Sequence, residues 1–373
     1  MQIQLSTMLF YIFLVAVGFQ LVYWLFFLLG LIKIKNSSHA PLESVPAVSI
    51  IVAARNELDN LKKLIPAILQ QDHPQFEIII VNDRSHDGTD EFLISEEARH
   101  DSLKALHVHE LPEHISGKKY ALTLGIKAAK HKHILLTDAD SLPSSSSWAS
   151  LMAAGFNQGG DILLGFSNYS KLPGLLNYFI RFETLLTGIE YLSAAVNKLP
   201  FMGVGRNLAY KKDIFLENKG FFGYHEFNGG DDDIFINKHA NSQNTLVISG
   251  VQAITISKPK KTWSSFWHQK IRHLQVGKYY TFKSKVVLGI FNLSWILTWI
   301  VGIWCLVLGI DALWIIIALF LRTICLYSSF IMATKKLGIA FEIGGLIFLD
   351  VIFTIYYIFA GTKALFVKTI SWV

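Results

Sequence analysis

Two apolar blocks, one at each end of the chain with a charged stretch between them, constrain its fold more than any other feature. Residues 1–32 contain no Lys, Arg, Asp or Glu, and residues 8–31 are almost wholly apolar. A helix crossing a hydrocarbon core of ~30 Å needs about 20 such residues, so this block is long enough. It has no basic leading segment and no small-residue cleavage site, and it outruns the apolar stretch of a signal peptide. It reads as a retained anchor. At the other end, residues 286–310 carry no charge, 312–334 carry only Arg322, and 343–361 carry only Asp350. The mean hydropathy of +0.39 comes from these blocks. The expected layout is a transmembrane anchor over 1–35 and an α/β domain over 46–257. An amphipathic interfacial segment over 258–285 and about three C-terminal membrane helices over 286–373 complete it.

The formal charge is +6, from 34 basic and 28 acidic residues. Nucleic-acid binding is one use for such an excess, but the lysines sit beside the apolar blocks instead: Lys33, Lys35, Lys258, Lys260, Lys261, Lys278, Lys283 and Lys285. Positive flanks mark the cytoplasmic side. They predict a multi-pass protein of the cell membrane with a cytoplasmic middle domain and no nucleic-acid partner. Lys335 and Lys336 fit that scheme. Lys363 and Lys368 do not if all four blocks cross, which points to one late segment lying in the interface. Cys305 and Cys325 fall inside apolar blocks and read as packing residues.

The middle reads as alternating strands and helices. Residues 48–53 form a short β-branched run suited to a buried strand, ending in Ala54-Arg55-Asn56-Glu57. The stripe Leu61, Leu64, Ile65, Ile68, Leu69 marks a helix that Asn56 or Asn60 can cap. Strands are expected at 76–81, 105–108 and 134–136, with turn chemistry at 85–89 and a helix from Ser116 to about Lys130. This alternation predicts a parallel sheet with flanking helices. Ligands of such sheets bind beyond the carboxyl ends of the strands, where Asp83, Asp138 and Asp140 fall.

Four groups can carry chemistry. The carboxylates of Asp138-Ala139-Asp140 can hold one hard cation and, through it, a diphosphate; a solvated turn explains the same triplet. Asp83 can accept hydrogen bonds from a nucleotide base or ribose, or simply end a strand. Asp231-Asp232-Asp233 packs three carboxylates before an apolar helix start. Such crowding raises one pKa and can make a general base, while the helix dipole alone favours an acidic first turn. The stretch 263–280 mixes aromatics with Lys and Arg as an interfacial helix does, and a cation such as Arg272 within it can also offset a leaving diphosphate. Residues 203–207 start like a dinucleotide fingerprint, but Leu208 stands where its third Gly belongs. No phosphate-binding P-loop and no G-x-S-x-G elbow occurs.

In order, these pieces resemble the family 2 glycosyltransferases, the inverting GT-A-fold group that includes the synthases of cellulose, hyaluronan and poly-N-acetylglucosamine and ceramide glucosyltransferase. Val48 to Glu57 is similar to the opening strand and its nucleotide-contacting turn, with Arg55 and Glu57 in that turn. Ile80 to Thr89 resembles the second signature, whose aspartate (here Asp83) contacts uracil. Gly117-Lys118 resembles the Gly-Lys helix that follows. Thr137 to Ser141 matches the metal-binding D-x-D, with Asp140 the expected direct ligand beside Asp138. Asp232 aligns with the catalytic base, and Gln269-Lys270-Ile271-Arg272-His273 looks like the Q-x-x-R-W motif that binds the diphosphate. His273 stands where that motif carries the Trp that helps processive synthases hold their polymer.

The resemblance implies a UDP-sugar donor, Mg²⁺ or Mn²⁺, and a lipid-linked or polysaccharide acceptor. Asp232 would take the acceptor proton, and residues 201–207 would line the acceptor entrance. The alternative is a non-catalytic sugar-nucleotide-binding subunit of a synthase complex. Apart from the site, Arg322 and Asp350 are expected to pair between the last two helices, because lone charges in a bilayer are costly.

Overall fold

The computed structural model describes residues 2–37 and 44–367; Lys368 lies outside them. Helix α1 (Gln2–Lys33) leads into a βα series: β1 (Val48–Ala54), α2 (Leu58–Leu69), β2 (Phe76–Asp83), α3 (Thr89–Glu97), β3 (Leu103–Val108), α4 (Gly117–Ala128) and β4 (His133–Leu136). The chain continues through β5 (Ser141–Pro143), α5 (Trp148–Asn157), β6 (Ile162–Leu164), β7 (Ser167–Tyr169), α6 (Leu175–Val196) and β8 (Leu208–Lys211). Then come α7 (Lys212–Glu217), α8 (Asp233–His239), β9 (Thr245–Val247), β10 (Thr255–Ser257) and α9 (Trp263–Val276). Three long helices follow: α10 (Phe282–Val307), α11 (Ala312–Leu337) and α12 (Leu346–Phe366).

The main sheet has seven strands in the order β3-β2-β1-β4-β8-β6-β9. Strands β3, β2, β1 and β4 are parallel, as the alternation predicts. Beyond β4 the sheet becomes mixed. Strand β8 pairs antiparallel to both β4 and β6, and a separate sheet β5-β10-β7 covers the open end. Strand β1 is buried on both faces because Val48, Ile50, Ile51 and Val52 leave no polar side to wet. The Leu61, Leu64, Ile65 and Ile68 stripe of α2 covers one face, and Ala121, Leu122 and Ile126 of α4 cover the other. Neither Asn56 nor Asn60 caps α2. The Leu58 N–H donates instead to Asp87 Oδ2 at 3.0 Å, which ties the helix start to the turn after β2.

Among the described residues, four helical segments are long and apolar enough to cross a membrane: Gln4–Lys33, Phe282–Val307, Ala312–Leu337 and Ile343–Phe366. Their outward residues include Val22, Val307, Leu313, Phe320 and Phe359, an apolar belt that water would not tolerate uncovered. Inside, Trp24 of α1 is fully buried against Phe27, Phe291, Trp295 and Phe330. Helix α6 welds this bundle to the domain. A Cβ on Gly30 would stand 2.7 Å from Ser193 Cβ, so α1 and α6 touch backbone to backbone. Asn197 Nδ2 donates to Phe26 O at 2.8 Å, and the Phe182 and Phe330 rings stack.

Helix α12 keeps both its ends beside the domain. The loop before it is held by Arg181, whose Nη1 donates to Glu342 at 2.7 Å. At its far end, Leu365 O and Val367 O accept from Lys278 Nζ and Gln275 Nε2 at 3.1 and 2.7 Å. Lys363 therefore lies on the same side as Lys278. Arg322 and Asp350 do meet, as a fully buried forked ion pair.

Candidate active site

The carboxyl ends of β1, β2 and β4 form one rim, and the backbone is bent sharply there. Asn56 and Arg84, each just past a strand, hold left-handed φ values of 54° and 55°, conformations that tend to persist where function over-determines them. Asn56 closes the rim by accepting from the His86 N–H at 2.8 Å, while its own N–H donates to Ser85 Oγ at 2.8 Å. Asp83 ends β2 and is 2% exposed. Arg84 grips both its oxygens at 2.7 and 3.2 Å. Half-buried Arg55 is on the same rim, with no hydrogen bond or ion pair among the described residues. Glu57 binds Asn60; burial, then Asp140 and Asp138 nearby, push its carboxyl up.

Two acidic groups from distant parts of the chain meet over Lys118 in the first turn of α4. Its ammonium stands 3.0 Å from Asp138 Oδ1 and 2.9 Å from Asp231 Oδ2. Burial opposes that charge, but Asp138, Asp231 and Asp232 outweigh it and hold the ammonium above its ordinary range. Its neighbour Lys119, fully buried, donates to the carbonyls of Tyr224 and Phe227 and so fixes the loop that delivers Asp231. The acidic triplet forms the start of α8, as the helix dipole favours. Asp232 is the N-cap of α8: its Oδ1 accepts from the Asp233 N–H at 2.8 Å, and its Oδ2 from the Gly205 N–H at 2.6 Å.

Its surroundings separate the triplet. Burial would raise Asp231, but Lys118 overrides it and keeps the carboxylate below its usual range. Burial and then Asp231 raise Asp232; burial and Asp232 raise Asp233 further. Carboxyls whose pKa values are driven apart are how one site holds a fixed counter-charge and a proton acceptor together. Asp140 is raised by burial and by Asp138, with Arg206 opposing.

Arg206 was missed as a site cation. Its backbone carbonyl accepts from Thr137 and Thr255 hydroxyls at 3.0 Å each, and its guanidinium lies 4.5 Å from the Tyr169 ring centre. The 201–207 segment thus splits: Gly205 and Arg206 face the acidic centre, and Phe201 faces a cavity beside the membrane helices. No local pattern in Gly205-Arg206-Asn207 marks this cation, because its placement depends on β8, β10 and the turn after β4. Helix α9 carries Gln269, 3.5 Å from the Tyr169 hydroxyl, and is tied to α6 by Lys270 and Glu183. Arg272 faces Asp231, Asp138 and Asp232. Burial lowers its pKa, and its buried Nε has no partner. A guanidinium kept buried with a donor unspent suits an anionic guest. His273 is exposed beside it.

Among the described residues no group of three His, Cys, Asp or Glu side chains converges as a metal cage. Asp138 and Asp140 offer a two-carboxylate set instead. A carboxyl raised by burial beside a second one fits a hard cation that takes its remaining ligands from phosphate and water.

The family described as glycosyl transferase family 2 matches residues 49–217. A relative in Bacillus subtilis, the probable glycosyltransferase YdaM, is 24% identical over 257 residues, covering 65% of this chain and 58% of that protein. The poly-beta-1,6-N-acetyl-D-glucosamine synthase of Staphylococcus epidermidis is 32% identical over 101 residues, covering 27% of this chain and 23% of that one. The chain therefore spans less than two thirds of the length of these curated relatives. Among solved structures, the mannosyltransferase PcManGT from Pyrobaculum calidifontis, in complex with GDP-Man and Mn²⁺, aligns with a TM-score of 0.59 at 17% identity, covering 89% of this chain and 98% of that chain. That likeness is one of fold, and it makes the mixed sheet a GT-A sheet. The family match over residues 49–217, beside relatives named as glycosyltransferases, shows that this chain carries a glycosyl transferase family 2 domain there.

Proposed function

We propose that the chain is an inverting transferase that moves a sugar from a nucleotide-diphospho-sugar to an acceptor at the membrane face. The observation that carries this reading is the pairing over Lys118 of a strand-end carboxylate, Asp138, with the acidic triplet at α8. One half-buried ammonium shared by two carboxylates at the strand-end rim gains little stability for the desolvation it costs, so it argues for use.

Asp83 and Arg55 suit the base and ribose, and a uracil would have to displace Arg84 from Asp83. Asp140 and Asp138 would hold Mg²⁺ or Mn²⁺, which when bound supplies charge to the diphosphate leaving group. Arg272, Lys118 and Arg206 add positive charge on the diphosphate's other sides. Asp232, raised towards neutrality, accepts the acceptor's hydroxyl proton as that oxygen bonds to the anomeric carbon. The carbon–diphosphate bond breaks on the opposite face, and the nucleotide diphosphate leaves with the bonding pair. Lysine-rich flanks support a cytoplasmic domain, with α1, α10 and α11 crossing and α12 lying along the interface.

The test is donor turnover by the full chain in detergent, screening UDP- and GDP-sugars with Mn²⁺ or Mg²⁺. Metal-dependent release of one nucleotide, lost in Asp140→Ala, is expected. Asp232→Asn should cut transfer by about 10²–10⁴-fold, the usual worth of a general base, with donor affinity kept. Weakened donor binding in Asp232→Asn would argue against the base role. Folded protein that binds a nucleotide sugar but turns over none would leave the non-catalytic subunit reading ahead.

A further inference from the structure

A cavity of about 330 Å³ lies where α1 and α10 leave the bundle and meet α6 and the end of α8. Its walls differ in kind. One is built by Phe26 and Phe27 of α1 and Leu288 and Phe291 of α10, all in the halves of those helices nearest the domain. The opposite wall carries Asn237, Ser242 and Ser284, with Lys198 and Lys283 exposed at the rim. Between them stands Glu190 of α6, which has no hydrogen bond or ion pair among the described residues. Burial, with Glu183 nearby, raises it to about 8, so near neutral pH it is mostly an uncharged donor.

An apolar wall at membrane depth facing a polar, cationic wall at domain depth fits an amphipathic guest and neither a sugar nor an alkane. The cavity is also close to the chemistry. Asn237 lies on α8 five residues after the cap Asp232, about 7.5 Å along the axis at 1.5 Å per residue. Asn237 Nδ2 donates to Phe201 O at 2.7 Å, at the start of the segment whose Gly205 holds Asp232.

We infer that this cavity receives the hydrocarbon chain of an acceptor lipid from the domain-side leaflet, a lipid whose hydroxyl-bearing head is joined to its chain through a phosphate. The chain lies against Phe27 and Phe291, the phosphate meets Lys198 and Lys283, and the head reaches towards Asp232. This rests on the transferase reading above and names its acceptor class.

The test uses the full chain in phosphatidylcholine nanodiscs containing a trace of phosphatidylinositol with a diazirine in its acyl chain. Diazirine-bearing phosphatidylcholine and a diazirine-bearing fatty alcohol are the comparisons, and nucleotide-sugar binding is measured on each sample. Phosphatidylinositol should label α1 near Phe26 and α10 near Phe291 above both comparisons. Ala194→Trp, which fills the cavity wall, should bring that labelling down to the alcohol's level. Lys283→Gln, on the surface and safe for folding, should weaken it about two- to fivefold, the worth of one exposed charge pair. Donor binding should be unchanged in both variants. Equal labelling by all three probes is an ordinary lipid shell and overturns the inference, as does selective labelling that neither variant disturbs. Selective labelling without donor binding in any sample would instead sink the transferase reading and leave the lipid site standing.

Discussion

Gly117 lacks a side chain because Asp83 stands where one would begin. A Cβ there would lie 2.2 Å from Asp83 Oδ2 and 2.9 Å from Arg84 Nη2. Both belong to the strand end that would meet the base, so an added methyl must push the site rather than a loose surface. Gly117→Ala should cost about 1–3 kcal/mol, the range for overpacking. That cost should appear mainly in nucleotide affinity read by calorimetry with UDP; unchanged affinity would show that Asp83 does not face the base. Glu190 gives a second residue-level prediction. Its folded value of about 8 exceeds its ordinary 4.5, so the folded chain keeps a proton that the unfolded chain has released. The penalty is absent below 4.5, grows as pH rises, and is complete above 8. Glu183, Tyr280 and Tyr357 face this carboxyl, with Lys198 and Lys283 at the cavity rim. Glu190→Gln should therefore melt higher than the parent above pH 8, with the gap closing towards pH 4.5. A constant gap across that window would remove the shifted carboxyl as its cause.

Between elements, the decisive contact is α1 against α6. Gly30→Ala would drive a methyl into Ser193 Cβ, Cα and carbonyl at 2.7–2.8 Å. Helix backbone cannot yield as a flexible side chain can, so about 1–3 kcal/mol of destabilisation is expected, seen as a lower thermal midpoint in detergent. An unchanged midpoint would mean that the domain and the bundle are not joined there. This contact is silent in the sequence, where Gly30 is one small residue in an apolar run. What was legible is local. Strands β1 and β2 announce themselves as β-branched runs and β4 as a short apolar one, and Asp83, Asp138 and Asp140 follow as the residues at the ends of β2 and β4. The partner of Asp138 was not legible. Lys118 reads as a helix-start lysine, and its bridge to Asp231 closes over more than a hundred residues of chain. Strand β8 was hidden for the same reason, since four residues carry little pattern and its antiparallel place depends on β6. The cap of α2 went astray because Asp87, in the neighbouring turn, competes better for the Leu58 N–H than either nearby Asn.

At the scale of the whole molecule, one buried polar cluster ties all four long helices together. Arg322 of α11 forks onto Asp350 of α12 and donates through Nη2 to Gln20 of α1 at 3.2 Å. Gln20 in turn donates to Phe291 O and Ser294 Oγ of α10 at 3.0 and 2.9 Å. The Trp295 ring lies 4.8 Å from the guanidinium carbon. Such a cluster selects an arrangement more than it adds stability, because desolvating the two charges consumes most of what their attraction returns. Removing one partner is different, since the other is then left charged and alone. Arg322→Leu or Asp350→Leu should each cost about 3–5 kcal/mol, and the double variant should recover most of that loss. The readout is the thermal midpoint of the three purified proteins in one detergent, beside donor turnover. Recovery of the midpoint without recovery of turnover would mean that the pair's work is to set where α12, and through Gln275 the end of α9, sits beneath the site. Recovery of both would leave the pair a matter of assembly alone. Single variants that fold as the parent does would remove the lock altogether.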